Sequence, residues 1–441
     1  MIATFYFYNT LSMTSSLRRV AQHTLGCKLN FSESSDMCRR LETLGFVRVD
    51  FTEEADVYII NTCSVTEEAN KKCRSMIKRC IRRNANAFII VTGCYAQLKP
   101  DEVAKIKDVD LILGSNEKCD ILNYVGDFSK RTSPTIVVGD IVKDKRFTGA
   151  YSVGDRTRSF LKIQDGCDYF CTYCTIPFAR GTSRSDTVEK TVQEAQEIAS
   201  RGAKEIILTG VNIGDFGHRN GETFLQLIEA LEKVDGIERY RISSIEPNLL
   251  TDEIIHHVAL SKKFMPHFHI PLQSGSDTVL KLMHRRYTAD FFRQKIATIK
   301  SIIPHAFIGI DVIVGTNGET EELFNETYQL LREIDFSQLH VFTYSERPGT
   351  QALKIKPVVP LKERQRRNAI LHELSEAKHA AFIKNFIGST ARVLLESDIK
   401  DGMMAGFTEN YIKVEVPYCP QYVGTIQNVR IGETTSKIIE L

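Results

Sequence analysis

Three cysteines, Cys167, Cys171 and Cys174, form a C-x3-C-x2-C run inside the segment QDGCDYFCTYC. Three thiolates on one short loop can bind three irons of a cubane and leave the fourth iron open to a further ligand. S-adenosylmethionine fits that corner: its amino and carboxylate groups chelate iron, and one electron from the cluster then cleaves the sulfonium to a 5′-deoxyadenosyl radical. The competing chemistry is a zinc site. Zinc asks for a fourth Cys or His close by, whereas His218 and His256 lie far along the chain. The aromatics Tyr169, Phe170 and Tyr173 interleave with the cysteines.

A second trio is spread over the first hundred residues. Cys27, Cys63 and Cys94 each follow an apolar run, in TLGC, INTC and VTGC. In open α/β sheets ligands bind at the C-terminal edge of the strands, so three thiols there can converge on one group. The alternative is three unrelated core thiols, since free cysteine is often buried. Cys38, Cys73, Cys80, Cys119 and Cys419 match no ligand spacing and read as structural. His267 and His269 alternate onto one strand face, but two ligands are too few for a metal.

These residues need elements to hold them. Apolar runs at 18–25, 56–62, 87–93 and 110–114, with helical patterns at 32–44 and 67–83 between them, predict a parallel sheet covered by helices on both faces. Further on, six strand–helix units follow one another, with strands at 159–165, 204–210, 239–245, 267–273, 307–315 and 338–345. Right-handed crossovers curl such a run into a barrel with its site at the C-terminal strand ends, and six units rather than eight predict an open, partial (β/α)6 barrel. Polar candidates sit at those ends: Gly210, Asn212 and Gly214 in LTGVNIG, Ser244 and Glu246 in SSIEP, and Gln273 and Ser274 in PLQSGS. A helix over 361–386 leads to short strands separated by Gly, Asn and Pro, which predict a small antiparallel β-barrel. The expected organisation is an extension at 1–17, an α/β domain at 18–128, a linker at 129–157 with one short strand at 135–138, the barrel at 158–386 and the terminal barrel at 387–441.

Composition is that of a globular protein: 441 residues, 42% hydrophobic, 25% charged, formal net charge +2. No stretch approaches the length of apolar chain that spans a membrane, and the apolar start lacks a basic region before it. Eleven cysteines in no secreted-scaffold pattern imply a reducing, cytoplasmic setting where spaced cysteines bind metals.

The loop QDGCDYFCTYCTIPFARGTSRS, with TLGCKLN, NTCSVT and TGCYAQ in the first domain, resembles the radical S-adenosylmethionine methylthiotransferases, and the resemblance runs from about Arg19 to the C-terminus. Within that family KIQDGC and HVFTYSERPGT are most similar to the MtaB-like branch. The resemblance implies two 4Fe-4S clusters, an auxiliary one on Cys27, Cys63 and Cys94 and the catalytic one on Cys167, Cys171 and Cys174. Asn30, Asn61 and Thr62 are expected to shape the first site. Gly210 and Asn212 are expected near the amino-acid end of the cofactor, with Ser244, Glu246 and Gln273 as further polar contacts and Glu246 placed to accept ribose hydroxyls. The implied activity is conversion of N6-threonylcarbamoyladenosine, beside the anticodon in the anticodon stem-loop of tRNA, to its 2-methylthio form, and an electron donor that the sequence does not identify is required. The isopentenyladenosine branch and the branch acting on a ribosomal-protein aspartate share this chemistry, and the alternative from outside the enzymes is a metal-containing RNA-binding protein. One departure stands out: the family's Phe-Pro-Gly-Glu-Thr is here TNGET, residues 316–320.

For RNA, residues 71–83 hold seven Lys or Arg and no acid, and KERQRR at 362–367 is a second basic cluster. Arg180 and Arg184 are expected to reach a phosphate near the site. The C-terminal segment resembles a TRAM domain, yet from Phe386 onward it carries five basic against seven acidic residues, so its expected grip on RNA is stacking by Phe407 and Tyr411.

Overall fold

The computed structural model describes residues 18–64 and 66–439; the extension read at 1–17 lies outside them. The first unit is a six-stranded, wholly parallel sheet in the order Val47–Arg48, Arg19–Thr24, Val57–Thr62, Phe88–Gly93, Leu111–Leu113, Thr135–Val137. The two central strands, Val57–Thr62 and Phe88–Gly93, are buried at every position, which is why they read as unbroken apolar runs rather than alternating ones. The edge strand Thr135–Val137 corrects the linker reading of 129–157: it completes this sheet, held by Ile112 opposite Ile136. Its half-polar sequence, TIV among charges, is what an edge strand tolerates. The first helix also differs, running Lys28–Glu42 with Cys27 as its extended N-cap residue rather than starting at 32. Helix Glu67–Arg83 buries only Asn70, Cys73, Ile77 and Cys80, so its inward face is apolar and its basic side chains face out.

The second unit has six parallel strands in sequence order: Ser159–Lys162, Glu205–Thr209, Arg239–Ile242, His267–Gln273, Phe307–Val314 and Gln338–Thr343. Parallel bridges Tyr240–Phe264 and Ser244–His269 join its two halves. The barrel is open, and the short strand Ala150–Tyr151 adds antiparallel to its first strand.

The C-terminal unit is a curled antiparallel sheet, a half-barrel, in the order Lys413–Pro417, Met403–Thr408, Thr390–Lys400, Ile426–Arg430, Lys437–Ile438. It docks against the N-terminal ends of the barrel strands. Arg239 donates to the carbonyls of Phe407 (3.1 Å) and Arg392 (2.9 Å), and Arg241 to those of Glu409 (2.8 Å) and Thr408 (2.7 Å). Tyr411 packs on His267, Phe407 and Phe307, and Arg158 lies over the Phe407 ring. Phe407 and Tyr411 are therefore spent on this internal interface instead of standing free for bases. The unit seals the end of the barrel opposite the cysteine loop.

Candidate active site between two cysteine trios

The cysteine loop leaves the first barrel strand at Gly166, whose φ of +71° and lack of a side chain let it pass the Thr182 carbonyl, 2.1 Å from where a β-carbon would lie. Backbone bonds then fix the loop: Cys167 N–H to Gly181 O (3.0 Å), Thr172 N–H to Met283 O (3.2 Å) and Ala352 N–H to Thr172 O (2.9 Å). Each sulfur receives a donor. The Tyr169 N–H points at Cys167 Sγ (3.5 Å), the Ile176 N–H at Cys174 Sγ (3.4 Å), and Arg285 Nη1 at Cys171 Sγ (3.2 Å). Such donors stabilise sulfur in its anionic, metal-binding form. Burial pushes the Cys167 and Cys174 thiols up to about 12, so without metal both stay protonated at neutral pH and ligation must expel a proton from each. Iron–sulfur loading is accordingly expected to strengthen as pH rises from 6.5 to 8.5, by up to about tenfold in apparent affinity per pH unit for each thiol. Proton release during anaerobic reconstitution at several pH values checks this, and pH-independent loading would contradict it.

In the first trio Cys27 and Cys63 stand side by side, and Cys94, buried at the start of the helix Cys94–Leu98, lies within electrostatic range of Cys27. Gly26, at φ +108°, brings Cys27 alongside Cys63, with a β-carbon position 3.1 Å from Cys63 Sγ. Cys73 Sγ caps the Cys63 carbonyl at 3.5 Å. Asn30 donates to Leu25 O (2.9 Å) and Thr62 O (3.1 Å), and Asn61 donates to Asn30 O (2.8 Å), so Asn30, Asn61 and Thr62 tie together the chain ends that carry Cys27 and Cys63.

A buried ionic network joins the two sites. Glu33, one helical turn beyond Asn30, accepts from Lys118 (2.6 Å), Lys162 (3.0 Å) and Arg180 (3.0 Å). Asp165, just ahead of Cys167, accepts from Lys162 (2.8 Å) and Arg180 (2.9 Å), with Arg184 at 3.5 Å. Arg180 also donates to Asn30 Oδ1. Burial alone would raise both carboxyls; the Arg180 and lysine charges outweigh it and hold Glu33 and Asp165 well below the ordinary range. Four cations thus share two carboxylates in the interior. Arg180 and Arg184, expected at a phosphate, are 1% and 4% exposed and are structural members of this interface.

The remaining sequence candidates divide. Gly210 does not open space for a ligand: a β-carbon there would meet Gln164 Oε1 and Ile213 Cγ2, both at 2.9 Å. Asn212 is buried with both amide atoms unpartnered, and Gln273, at φ +65°, has an unpartnered buried Oε1. Orphaned polar atoms at strand ends beside the cysteine loop are what a polar cofactor would satisfy. Ser244 is half-buried and bridges to the His269 strand. The Glu246 carboxylate is engaged by Arg285, the donor to Cys171, and burial raises its pKa despite that pairing. In TNGET, Glu319 turns inward to the Gly315 N–H (2.6 Å) and Arg367 (2.7 Å), while Thr316 Oγ1 and Asn317 Oδ1 are buried and unpartnered. KERQRR is likewise structural at Arg364 and Arg367, which are buried against Glu346 and Glu319.

Beside Cys174 lies a cavity of about 200 Å³ lined by Tyr173, Cys174, Gln273, Asp311, Phe342 and, from the first domain, Thr66, three residues past Cys63. Arg347 closes its edge, donating to Ser64 Oγ at 2.7 Å, one residue past Cys63. Sequence reasoning did not find Arg285, Arg347, Glu33 or Lys162; no spacing relates them to the cysteines.

Comparison with known proteins agrees with this layout. The model described as uncharacterized protein family UPF0004 matches residues 19–114, and that of the radical SAM superfamily matches residues 161–331. The threonylcarbamoyladenosine tRNA methylthiotransferase MtaB of Bacillus subtilis is 40% identical over 420 residues, 93% of each chain. The tRNA-2-methylthio-N(6)-dimethylallyladenosine synthase of Protochlamydia amoebophila is 33% identical over 94% of each chain. Among solved structures, the radical S-adenosylmethionine methyltransferase TsrM of Kitasatospora setae, with cobalamin and a 4Fe-4S cluster bound, has a similar fold at a TM-score of 0.53 and 12% identity, over 88% of this chain and 77% of that one.

Proposed function

The chain belongs to the radical S-adenosylmethionine tRNA methylthiotransferase family, and we propose that it acts on N6-threonylcarbamoyladenosine beside the anticodon of tRNA, converting it to the 2-methylthio form. The observation that carries this reading is one cavity lined by Cys174 of the second trio and by Thr66 of the first domain, three residues past Cys63, with Arg347 on its edge bonded to Ser64 beside Cys63. The higher identity to the threonylcarbamoyladenosine enzyme than to the dimethylallyladenosine enzyme supports the choice of base.

Cys167, Cys171 and Cys174 would hold the cluster that binds S-adenosylmethionine, and Cys27, Cys63 and Cys94 the auxiliary one. When bound, these groups supply one-electron cleavage of the cofactor and the sulfur that is methylated and transferred to the adenine. The chain's own residues orient and insulate. Arg285 steadies Cys171 and is itself braced by Glu246 and Tyr287. Asn212, Ser244 and Gln273 offer polar contacts to the cofactor. Tyr173 and Phe342 present apolar surface on which a purine can stack, and the buried ionic network holds the two trios in register. A low-potential electron donor from outside the chain completes the system. No helix among the described residues is long and apolar enough to cross a membrane; a cytoplasmic setting is part of the proposal and rests on tRNA as the substrate.

Lys71, Arg74, Lys78 and Arg82 line one groove on the outer face of helix Glu67–Arg83, on the same domain as the Thr66 edge of the cavity. Replacing all four with Ala is expected to weaken tRNA binding about 100-fold at low salt and to reduce the slope of log affinity against log salt by about 3. An unchanged slope in a filter-binding titration would remove this face from the interface.

Mass spectrometry of tRNA nucleosides from cells with and without the protein tests the function. The 2-methylthio form of threonylcarbamoyladenosine should vanish and its unmodified parent accumulate. Loss of the 2-methylthio isopentenyl nucleoside instead would overturn the choice of base.

A further inference from the structure

Inside the barrel a third set of metal-ligating side chains gathers, one that includes none of the six thiols. His269, Asp311 and His340 stand on the fourth, fifth and sixth barrel strands. Asp311 pairs across the ladder with His340, and His269 with Gly309. Because side chains alternate along a strand, Asp311 and Gly309 share a face, and the three ligating residues meet there. One nitrogen or oxygen from each lies within 4.8 Å of the other two. His269 Nε2 is 2.6 Å from Asp311 Oδ1, and the two imidazole rings are 4.9 Å apart, centre to centre. A β-carbon at Gly309 would sit 3.6 Å from His340 Nε2, so the glycine leaves the space beside that nitrogen clear.

The two histidines singled out on one strand do not act together. His267 is buried among Phe307 and Tyr411 at the sealed end, and only His269 reaches the trio. Its companions come from neighbouring strands, a pairing that no linear spacing could express.

We propose that His269, Asp311 and His340 form a third metal site, a two-histidine, one-carboxylate set for a divalent transition-metal ion. Imidazole ligands favour zinc, iron, copper or nickel over magnesium, calcium and manganese, and three protein ligands leave coordination positions for oxygen donors or water. Asp311 also lines the cavity beside Cys174, so a group bound there can reach those positions. Lys28 lies within electrostatic range of His340, and the Asp311 carboxylate supplies the charge that offsets it. Three half-buried ligands close to solvent make this an exchangeable ion rather than a structural one. The site does not depend on which nucleoside the enzyme modifies.

Zinc is the probe. Holoenzyme loaded with iron and sulfide is dialysed anaerobically against graded zinc chloride, and metals are counted by mass spectrometry. The expected result is one zinc per chain on top of an unchanged iron content of about eight. X-ray absorption at the zinc edge should show only nitrogen and oxygen neighbours at about 2.0–2.2 Å. His340→Gln and Asp311→Asn, each close to isosteric, should weaken zinc uptake at least about tenfold with iron content retained. A sulfur shell at about 2.3 Å, zinc gained only as iron is lost, or uptake unaffected by both substitutions would each overturn the site. So would the absence of any stoichiometric zinc in the unsubstituted holoenzyme, a result that needs no variant to fold.

Discussion

Cys171→Ala is expected to abolish both S-adenosylmethionine cleavage and methylthio transfer, by more than about a thousandfold, and to remove about four of some eight irons. Cys171 is the most enclosed of its trio, 8% exposed, and the one to which Arg285 donates. Its loss leaves two thiolates, too few to hold a cubane on this loop, and leaves the Arg285 guanidinium facing an apolar methyl. Cys63→Ala makes the informative contrast. It should also cost about four irons and all methylthio product, yet retain cleavage of S-adenosylmethionine to 5′-deoxyadenosine, because its sulfur belongs to the other site. Iron counts with separate assays of 5′-deoxyadenosine and of modified nucleoside distinguish the two variants. Methylthiolation that survives Cys171→Ala would end the mechanism.

Arg180→Ala is expected to be the most damaging substitution away from the cysteines, costing about 3 kcal/mol of stability. Arg180 donates to Glu33, Asp165 and Asn30 at once, and its removal leaves part of a buried carboxylate pair to the lysines alone. The larger consequence is geometric. Glu33 and Asn30 belong to the Cys27 helix and Asp165 to the strand that feeds Cys167, so the loss loosens one trio against the other. Denaturant midpoints should fall, and product formation should drop more than S-adenosylmethionine cleavage does. Arg180→Lys should recover part of the stability but not the paired geometry of the guanidinium. Both carboxyls titrate below their unfolded values, so their contribution is complete above about pH 4 and disappears as pH falls further, toward the folded values. A variant with unchanged midpoint and unchanged product ratio would show that the network is dispensable.

The parts of this molecule that could be read in advance are those encoded locally. The C-x3-C-x2-C spacing, the three strand-end cysteines and the apolar runs of the barrel strands all announce themselves within a few residues, and the structure places them as parallel strands with the cysteine loop on the first. Partnerships across the chain leave no such trace. Arg180 meets Glu33 147 residues away, and Arg285 meets Cys171 at a separation of 114. The same blindness made Arg180, Arg184 and KERQRR look like surface charge: a basic residue bound for a buried carboxylate is spelled no differently from one bound for solvent. Phe407 and Tyr411 misled in the opposite sense, since aromatic rings on a small β-unit serve a domain interface as readily as a base. The edge strand Thr135–Val137 was hidden by polar neighbours that an unpaired edge permits.

The ionic core between the domains has an implication for how the enzyme matures. Lys118, Lys162, Arg180 and Arg184 outnumber Glu33 and Asp165 by two, and this surplus lies next to the Asn30 that braces Cys27 and Cys63. A thiolate-bound iron–sulfur centre is anionic, so its insertion brings the missing counter-charge to a place where water cannot. Assembly of the inorganic cargo and clasping of the two halves would then be one cooperative event, and cells short of iron would accumulate a looser, more protease-sensitive chain.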